Sequence, residues 1–458
     1  MIPGIIHKEI EIMENTQKPG TIKISQLKKL RDDFLGNSGL KVAMNAVTRG
    51  SLTDIALNRD IINSNNWAFS HEIEEKAEIT DQKKSGTCWL FAEFNWLRTI
   101  TMKKFRMDNL EFSQNYLMFY DKLEKANFYL EELIKRLDLD IDDRYIRFIL
   151  DRPARDGGEW HMLVNLLNKY GIVPKEIMPD TYNRENSRHI NELISFKIRE
   201  AYAYMRKLFL SNKKDSIIRQ YKEKIMSDIF KILAVCMGIP PERFDWSYRD
   251  KDRKYHRETG ITPREFYDKY IGLDLDAFYT LVDCPTVQTP YERTYTIDLF
   301  DNMPGQRGWK WLNVPIYEIK KIALKILKNG EAVLFGCDVL QESHTKEGYL
   351  LTGLYNYDLL FQTSFIMDKK TRLECGHARL THSMVLTGVE LEGKMPVRWK
   401  VENSWGTDAG RKGYFVMSDR WFDEHVLDLI VPPRYMPAVL KKRFSRKPVI
   451  LPPWHVMA

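Results

Sequence analysis

Cys88 stands at a sharp change of character in the chain. The residues before it, Asp81-Gln82-Lys83-Lys84-Ser85-Gly86-Thr87, are polar and turn-forming. Those after it, from Trp89 through Ile100, are apolar on nearly every face. That switch predicts a helix that begins at the cysteine and is buried all round, with Ser85, Gly86 and Thr87 as capping and entry residues. A thiol at a helix N-terminus meets oriented backbone N–H groups, which favour the nucleophilic thiolate. A lone cysteine is more often a small core residue than a nucleophile, so partners are needed. His382 opens an apolar strand pattern, a fixed platform for an imidazole that pairs with a thiolate and then protonates a leaving amine. Asn403, within Val401-Glu402-Asn403-Ser404-Trp405-Gly406, offers an amide oxygen that accepts from the imidazole and fixes its tautomer, with Trp405 to keep water off that bond. Gln82, six positions before Cys88, can join its side-chain N–H to the Cys88 backbone N–H as an oxyanion hole. Each residue alone has a plain structural reading: strand-end histidine, turn asparagine, loop glutamine. Together they describe nucleophilic acyl transfer.

The elements that must carry these residues fall into two regimes. A helix is expected near Ser25 to Leu35, followed by a polar stretch, Asn58 to Asn66. From Ser113 to Leu150 the pattern is helical and amphipathic, with Tyr116, Met118, Phe119 and Leu123 spaced for one face. Gly157-Gly158 interrupts it. Trp160 to Tyr170 reads as a helix closed by Gly171, and Ile190 to Leu233 as a long charged helical stretch ended by Pro240-Pro241. After about Asp283 the pattern turns to strands: Ala332 to Val339, His382 to Leu391, Arg398 to Glu402 and Gly413 to Ser418, spaced like an antiparallel sheet. Helices first and strands later predict an α+β fold.

Bulk properties narrow the class. The chain has 458 residues, 43% apolar and 12% aromatic, enough for a large core and more than one compact unit. No apolar run approaches the roughly 20 residues of a membrane span, and the N-terminus lacks a signal-peptide pattern. Met13 is an alternative start. The five cysteines are scattered, odd in number and without C-x-x-C spacing. Reduced thiols in a cytoplasmic protein, with no metal and no cofactor, are therefore expected. The net charge is +7, and Lys441, Lys442, Arg443, Arg446 and Lys447 form a basic run. A solvated face is its plain reading, and weak non-specific nucleic-acid binding the sharper one.

Ser85-Gly86-Thr87-Cys88-Trp89 resembles the nucleophile signature of papain-like peptidases, with Ser85 where that signature has its first cysteine. His382 lies 294 residues after Cys88, against about 130–150 in ordinary papain, so an insertion is expected, most of it around Ile190 to Tyr279. The runs Asp81 to Asn95, Glu111 to Phe128, Gly157 to Pro179, Phe335 to Val339, His382 to Val389, Lys400 to Gly406 and Leu451 to Trp454 together resemble a narrower family. That family is bleomycin hydrolase and bacterial aminopeptidase C.

The resemblance implies a papain-like fold with five parts. Residues 1–80 pack on the catalytic core, and 81–185 form a helical subdomain with the nucleophile. Residues 186–282 are an inserted helical region for assembly, and 283–440 a β-rich subdomain with His382 and Asn403. Residues 441–458 are a tail entering the cleft between the subdomains. It also implies peptide substrates, a homohexameric cage, a Gly157-Gly158 edge that pairs with the substrate backbone, and a terminal carboxylate, here on Ala458, that holds the substrate ammonium. Only His455-Val456-Met457-Ala458 follow Trp454, fewer residues than the family tail has. Endopeptidase or oligopeptidase action is therefore the alternative to aminopeptidase action.

Overall fold

The computed structural model describes residues 20–306 and 308–458, so the alternative start at Met13 lies outside the described residues. These residues form two compact units. The smaller unit joins the described residues up to Ser64 with Gly353–Ile366. Its helices are Ile24–Gly36, Ser38–Val47, Leu52–Ala56, Arg59–Asn63 and Tyr357–Phe361. The polar residues between them act as caps: the side chains of Asn37, Ser51 and Asn58 each accept a backbone N–H of the helix that follows. Thus part of the polar stretch from Asn58 is a short capped helix rather than loop. The first two helices bury no residue, and Leu27, Leu30, Leu35, Val42 and Met44 are exposed.

The larger unit spans Asn65–Thr352 and Met367–Ala458. Its main helices are α1 (Cys88–Phe105), α2 (Gln114–Ile134), α3 (Arg144–Asp151), α4 (Trp160–Tyr170), α5 (Arg188–Leu210), α6 (Asp215–Met237), α7 (Pro263–Tyr270) and α8 (Ile316–Lys328). Two expected helices are each split. A turn at 135–143 separates α2 from α3, where Asp143 caps the new helix by accepting from Tyr145 N. Residues 211–214 break the long charged stretch into α5 and α6, which pack on each other and on α2. The strong apolar stripe of each helix faces that contact, through Ile194, Ile198, Ala201 and Met205 on α5 and Ile218, Ile225, Ile229 and Leu233 on α6.

The strands are β1 (His71–Glu72), β2 (Phe244–Arg249), β3 (Tyr255–Ile261), β4 (Tyr279–Val282), β5 (Thr294–Ile297), β6 (Trp311–Asn313), β7 (Val333–Cys337), β8 (Ser343–His344), β9 (Tyr349–Leu350), β10 (His382–Glu392), β11 (Met395–Glu402), β12 (Tyr414–Ser418), β13 (Val426–Val431) and β14 (Val449–Leu451). β2 and β3 form a separate hairpin after Pro240-Pro241, within the 186–282 region that was expected to be helical. The others make one sheet in the order β14-β5-β6-β4-β13-β7-β10-β11-β12-β9-β8, with β1 paired to the far end of β10. The centre, β13-β7-β10-β11-β12, is antiparallel as expected. Its outer pairs β4–β6, β5–β14 and β9–β12 are parallel, so the sheet is mixed. β7 and β13 are buried along their whole length, which explains the apolar run of β7 and the apolar residues on either side of Asp428 in β13. α1 packs against β10 and β7, and this contact brings the two halves of the predicted site together.

Candidate active site

α1 begins at Cys88 and is buried on all sides, through Trp89, Leu90, Phe91, Phe94 and Leu97. Its N-terminus is not capped as the sequence pattern predicted. Thr87 makes no side-chain cap, because its hydroxyl is engaged with that of Ser85 at 2.7 Å. Cys88 itself is half-buried, and its sulfur receives the backbone N–H of Ser383 and of Trp89. Ser383 follows His382 at the start of β10, so the strand that carries the histidine sits on the thiol.

His382 and Asn403 are both buried, and His382 Nε2 lies 2.8 Å from Asn403 Oδ1. The same oxygen accepts the backbone N–H of Ser404 at 2.8 Å, which locks the amide in place. Trp405 lies against the imidazole, with ring centroids 4.8 Å apart. Gln82 is held at both ends of its amide: Nε2 donates to Ser85 O at 2.9 Å, and Oε1 accepts from Ser404 Oγ at 3.0 Å. An amide nitrogen has two N–H donors, so one remains for an oxyanion. The expected set of Cys88, His382, Asn403, Gln82 and Trp405 therefore converges in the larger unit.

One expectation is reversed. The helix N-terminus was to lower the thiol, but burial pushes Cys88 up to about 11, the Ser383 and Trp89 N–H groups opposing it only in part. Burial also pushes His382 down to about 4, against the opposing effect of its bond to Asn403. Desolvation penalises each charge alone, so taken singly both groups are neutral near pH 7.

Gly157 and Gly158 differ. A Cβ on Gly158 would lie 2.6 Å from Trp89 Cε2, whereas one on Gly157 would meet open space. The Trp89 indole thus seats the glycine edge beside Cys88. Asp156 completes that join, a role the sequence reading missed. Its carboxylate accepts from Gly86 N at 3.0 Å, from Ser187 Oγ at 2.6 Å and from Asn191 Nδ2 at 2.8 Å, and pairs with Lys122 at 2.6 Å. Its backbone oxygen accepts from Trp89 Nε1 at 2.9 Å. Although burial opposes ionisation, Lys122 and these donors hold the carboxyl well below its usual range. A second missed join is the buried pair Arg98–Glu402 at 2.6 Å, which ties α1 to the residue before Asn403. Spacing along the chain carries no signal for a partner some 300 residues away.

The tail folds onto the larger unit. Arg144 lies over the Trp454 ring at 3.7 Å, Met457 is buried in the core, and Ala458 is exposed. Lys441, Lys442 and Arg443 occupy the last turn of the helix Ala438–Phe444, where cations complement the helix dipole. Among the described residues no group of three or more His, Cys, Asp or Glu is placed to hold a metal ion, and no helix is long and apolar enough to cross a membrane.

A model of the Peptidase C1-like family matches residues 21–458. The chain is 38% identical over 431 residues to an aminopeptidase C of Streptococcus thermophilus, covering 94% of this chain and 96% of the relative. It is 37% identical over 426 residues to a bleomycin hydrolase of Homo sapiens, covering 91% and 93%. It also superposes on the crystal structure of PepW from Lactobacillus rhamnosis with a TM-score of 0.94 at 39% identity, covering 96% of this chain and 99% of that one.

Proposed function

The chain belongs to the Peptidase C1-like family, and on that premise we propose how its residues remove the N-terminal residue of a peptide. Relatives named aminopeptidase C and bleomycin hydrolase, similar over nearly the whole chain, make it a cysteine-type aminopeptidase. The observation that carries the residue assignment is the junction of β10 with α1, where the Ser383 N–H meets the Cys88 sulfur and His382 is locked to Asn403. Cys88 Sγ attacks the first peptide carbonyl and its proton passes to His382. The thiolate and imidazolium, each costly alone, compensate each other when formed together. The oxyanion takes the Cys88 backbone N–H and the second N–H of Gln82. Collapse breaks the C–N bond, and the leaving amine takes the proton from His382. Water, deprotonated by His382, then cleaves the thioester and restores the thiol. Cys88→Ala is expected to abolish hydrolysis of aminoacyl arylamides, and undiminished turnover in that variant sinks the assignment.

Gly157 and Gly158 are assigned to pairing with the substrate backbone, a role that the open space beside Gly157 supports. The Ala458 carboxylate is assigned to the substrate ammonium. Endopeptidase action is the second reading, and comparison of N-terminally blocked with free peptides separates the two. Self-association, expected as a homohexamer, is supported by the apolar residues exposed on Ile24–Gly36 and Ser38–Val47. Cytoplasmic residence and a weak polyanion contact through the basic run complete the reading. The latter is secondary, since three of those cations serve a helix end, and it should fade steeply with salt.

A further inference from the structure

Helix α2 turns two lysines into the protein, and the mechanism uses neither. Lys122 and Lys125 are each 2% exposed, although lysine is rarely buried so fully without a partner. Lys122 pairs with Asp156 at 2.6 Å. Lys125 pairs with Asp121, one turn back on its own helix, at 2.7 Å. Such a pair forms as well on a helix surface, so it does not account for the burial, which works against the ammonium charge. Burial gives Lys125 two further contacts. Its ammonium donates to Gly157 O at 2.7 Å and stands 5.4 Å from the centre of the Trp89 ring.

These contacts fix the orientation of the glycine edge. The carbonyl of Asp156 is held by Trp89 Nε1 at 2.9 Å, and the carbonyl of Gly157 by Lys125. No peptide bond among the described residues is cis, and in a trans peptide the C=O and N–H point in opposite directions. With Gly157 O turned in to Lys125, the Gly158 N–H is turned out. It makes no hydrogen bond among the described residues. Trp89 packs on Gly158 where a Cβ would stand, while Gly157 is exposed and the space beside it is open. The outward N–H is thus a donor that the fold supplies and does not consume. An ammonium on the C=O of an amide also polarises the N–H of the same amide, which makes this donor stronger than an ordinary one.

Resting on Cys88 as nucleophile and on the glycine edge as the partner of the substrate backbone, we propose that Lys125 is a positioning residue: it holds the Gly157–Gly158 peptide so that the Gly158 N–H donates to a substrate carbonyl. The scissile carbonyl is taken by the Cys88 N–H and Gln82. The part of the substrate that stays on the sulfur lies N-terminal to the cut bond. The carbonyl that meets Gly158 therefore belongs to the residue or acyl group before the scissile residue. Substrates that carry this carbonyl gain from Lys125, and those with a single free amino acid ahead of the bond do not.

The test uses the full chain with Asp121→Asn and with Asp121→Asn/Lys125→Met. The first keeps the ammonium on Gly157 O, and the second removes it while leaving neither member of the pair as a buried lone charge. Cys88 is alkylated with N-acetyl-leucyl chloromethyl ketone and with an isostere in which n-propyl replaces the acetamido group, both of them neutral. The ratio of the first rate to the second is expected to be about fivefold or more in wild type and in Asp121→Asn, and to fall by about that factor in the double variant, as the polarised donor is lost. A lysine that only ties α2 to the loop slows both reagents alike. A ratio in the folded double variant within about twofold of that in Asp121→Asn overturns the role of Lys125. A wild-type ratio of about one overturns the glycine edge and the role of Lys125 with it. Turnover of leucyl arylamide that survives in Cys88→Ala overturns the nucleophile instead, so the failures are distinct.

Discussion

Replacing Asn403 by alanine removes the acceptor of His382 Nε2, a 2.8 Å bond between two buried side chains. Trp405 lies against the imidazole, so water is poorly placed to substitute. Hydrogen bonds to a charged group are worth about 1.5–3 kcal/mol, and this one faces an imidazolium during the reaction. At about 1.4 kcal/mol per factor of ten, kcat/KM should fall roughly 10- to 150-fold. The bond to Asn403 raises His382 against the larger lowering effect of burial. Alanine therefore makes His382 still less basic, and Asn403→Asp, which adds a negative charge beside it, makes it more basic. The assay is the pH profile of kcat/KM on leucyl arylamide for wild type and both variants. Alanine should displace the histidine-dependent limb to lower pH and aspartate to higher pH. An Asn403→Ala enzyme within threefold of wild type, with an unmoved profile, refutes the role assigned to this pair.

Arg98→Met should destabilise the chain by about 3–5 kcal/mol in chemical denaturation, since it leaves Glu402 buried without its 2.6 Å partner. The double variant with Glu402→Leu should recover most of that loss. Gly158→Ala forces the Trp89 indole aside and should cost about 1–3 kcal/mol, while Gly157→Ala should leave stability within about 0.5 kcal/mol and lower turnover instead. Burial pushes the Asp428 carboxyl up to about 7, above its unfolded value. The folded state therefore holds the extra proton in this window, and stability falls as pH rises through about 4 to 7. Asp428→Asn removes that fall, so its gain in melting temperature over wild type should be larger at pH 8 than at pH 5.

The chemistry was legible in the sequence wherever neighbours along the chain decide it. The polar-to-apolar switch at Cys88 placed that cysteine at the first residue of a buried helix, because a helix apolar on every side has no other place to go. Strand periodicity put His382 at the start of β10 and Asn403 just past the end of β11 for the same local reason. Joints between distant segments were not legible. Asp156 holding Gly86, Arg98 reaching Glu402, and Asp428 beside Gly336 each depend on a close approach that periodicity does not encode. The hairpin β2–β3 was missed because its strands alternate short and charged within a helical neighbourhood. Protonation was decided by tertiary structure alone. The helix N-terminus argued for a low thiol, but Cys88 and His382 are both desolvated, and at Cys88 burial outweighs the Ser383 and Trp89 N–H groups that favour the thiolate. The sequence by itself singled out the candidate residues. Their burial, which only the folded chain creates, makes the charge of Cys88 or of His382 costly when formed alone.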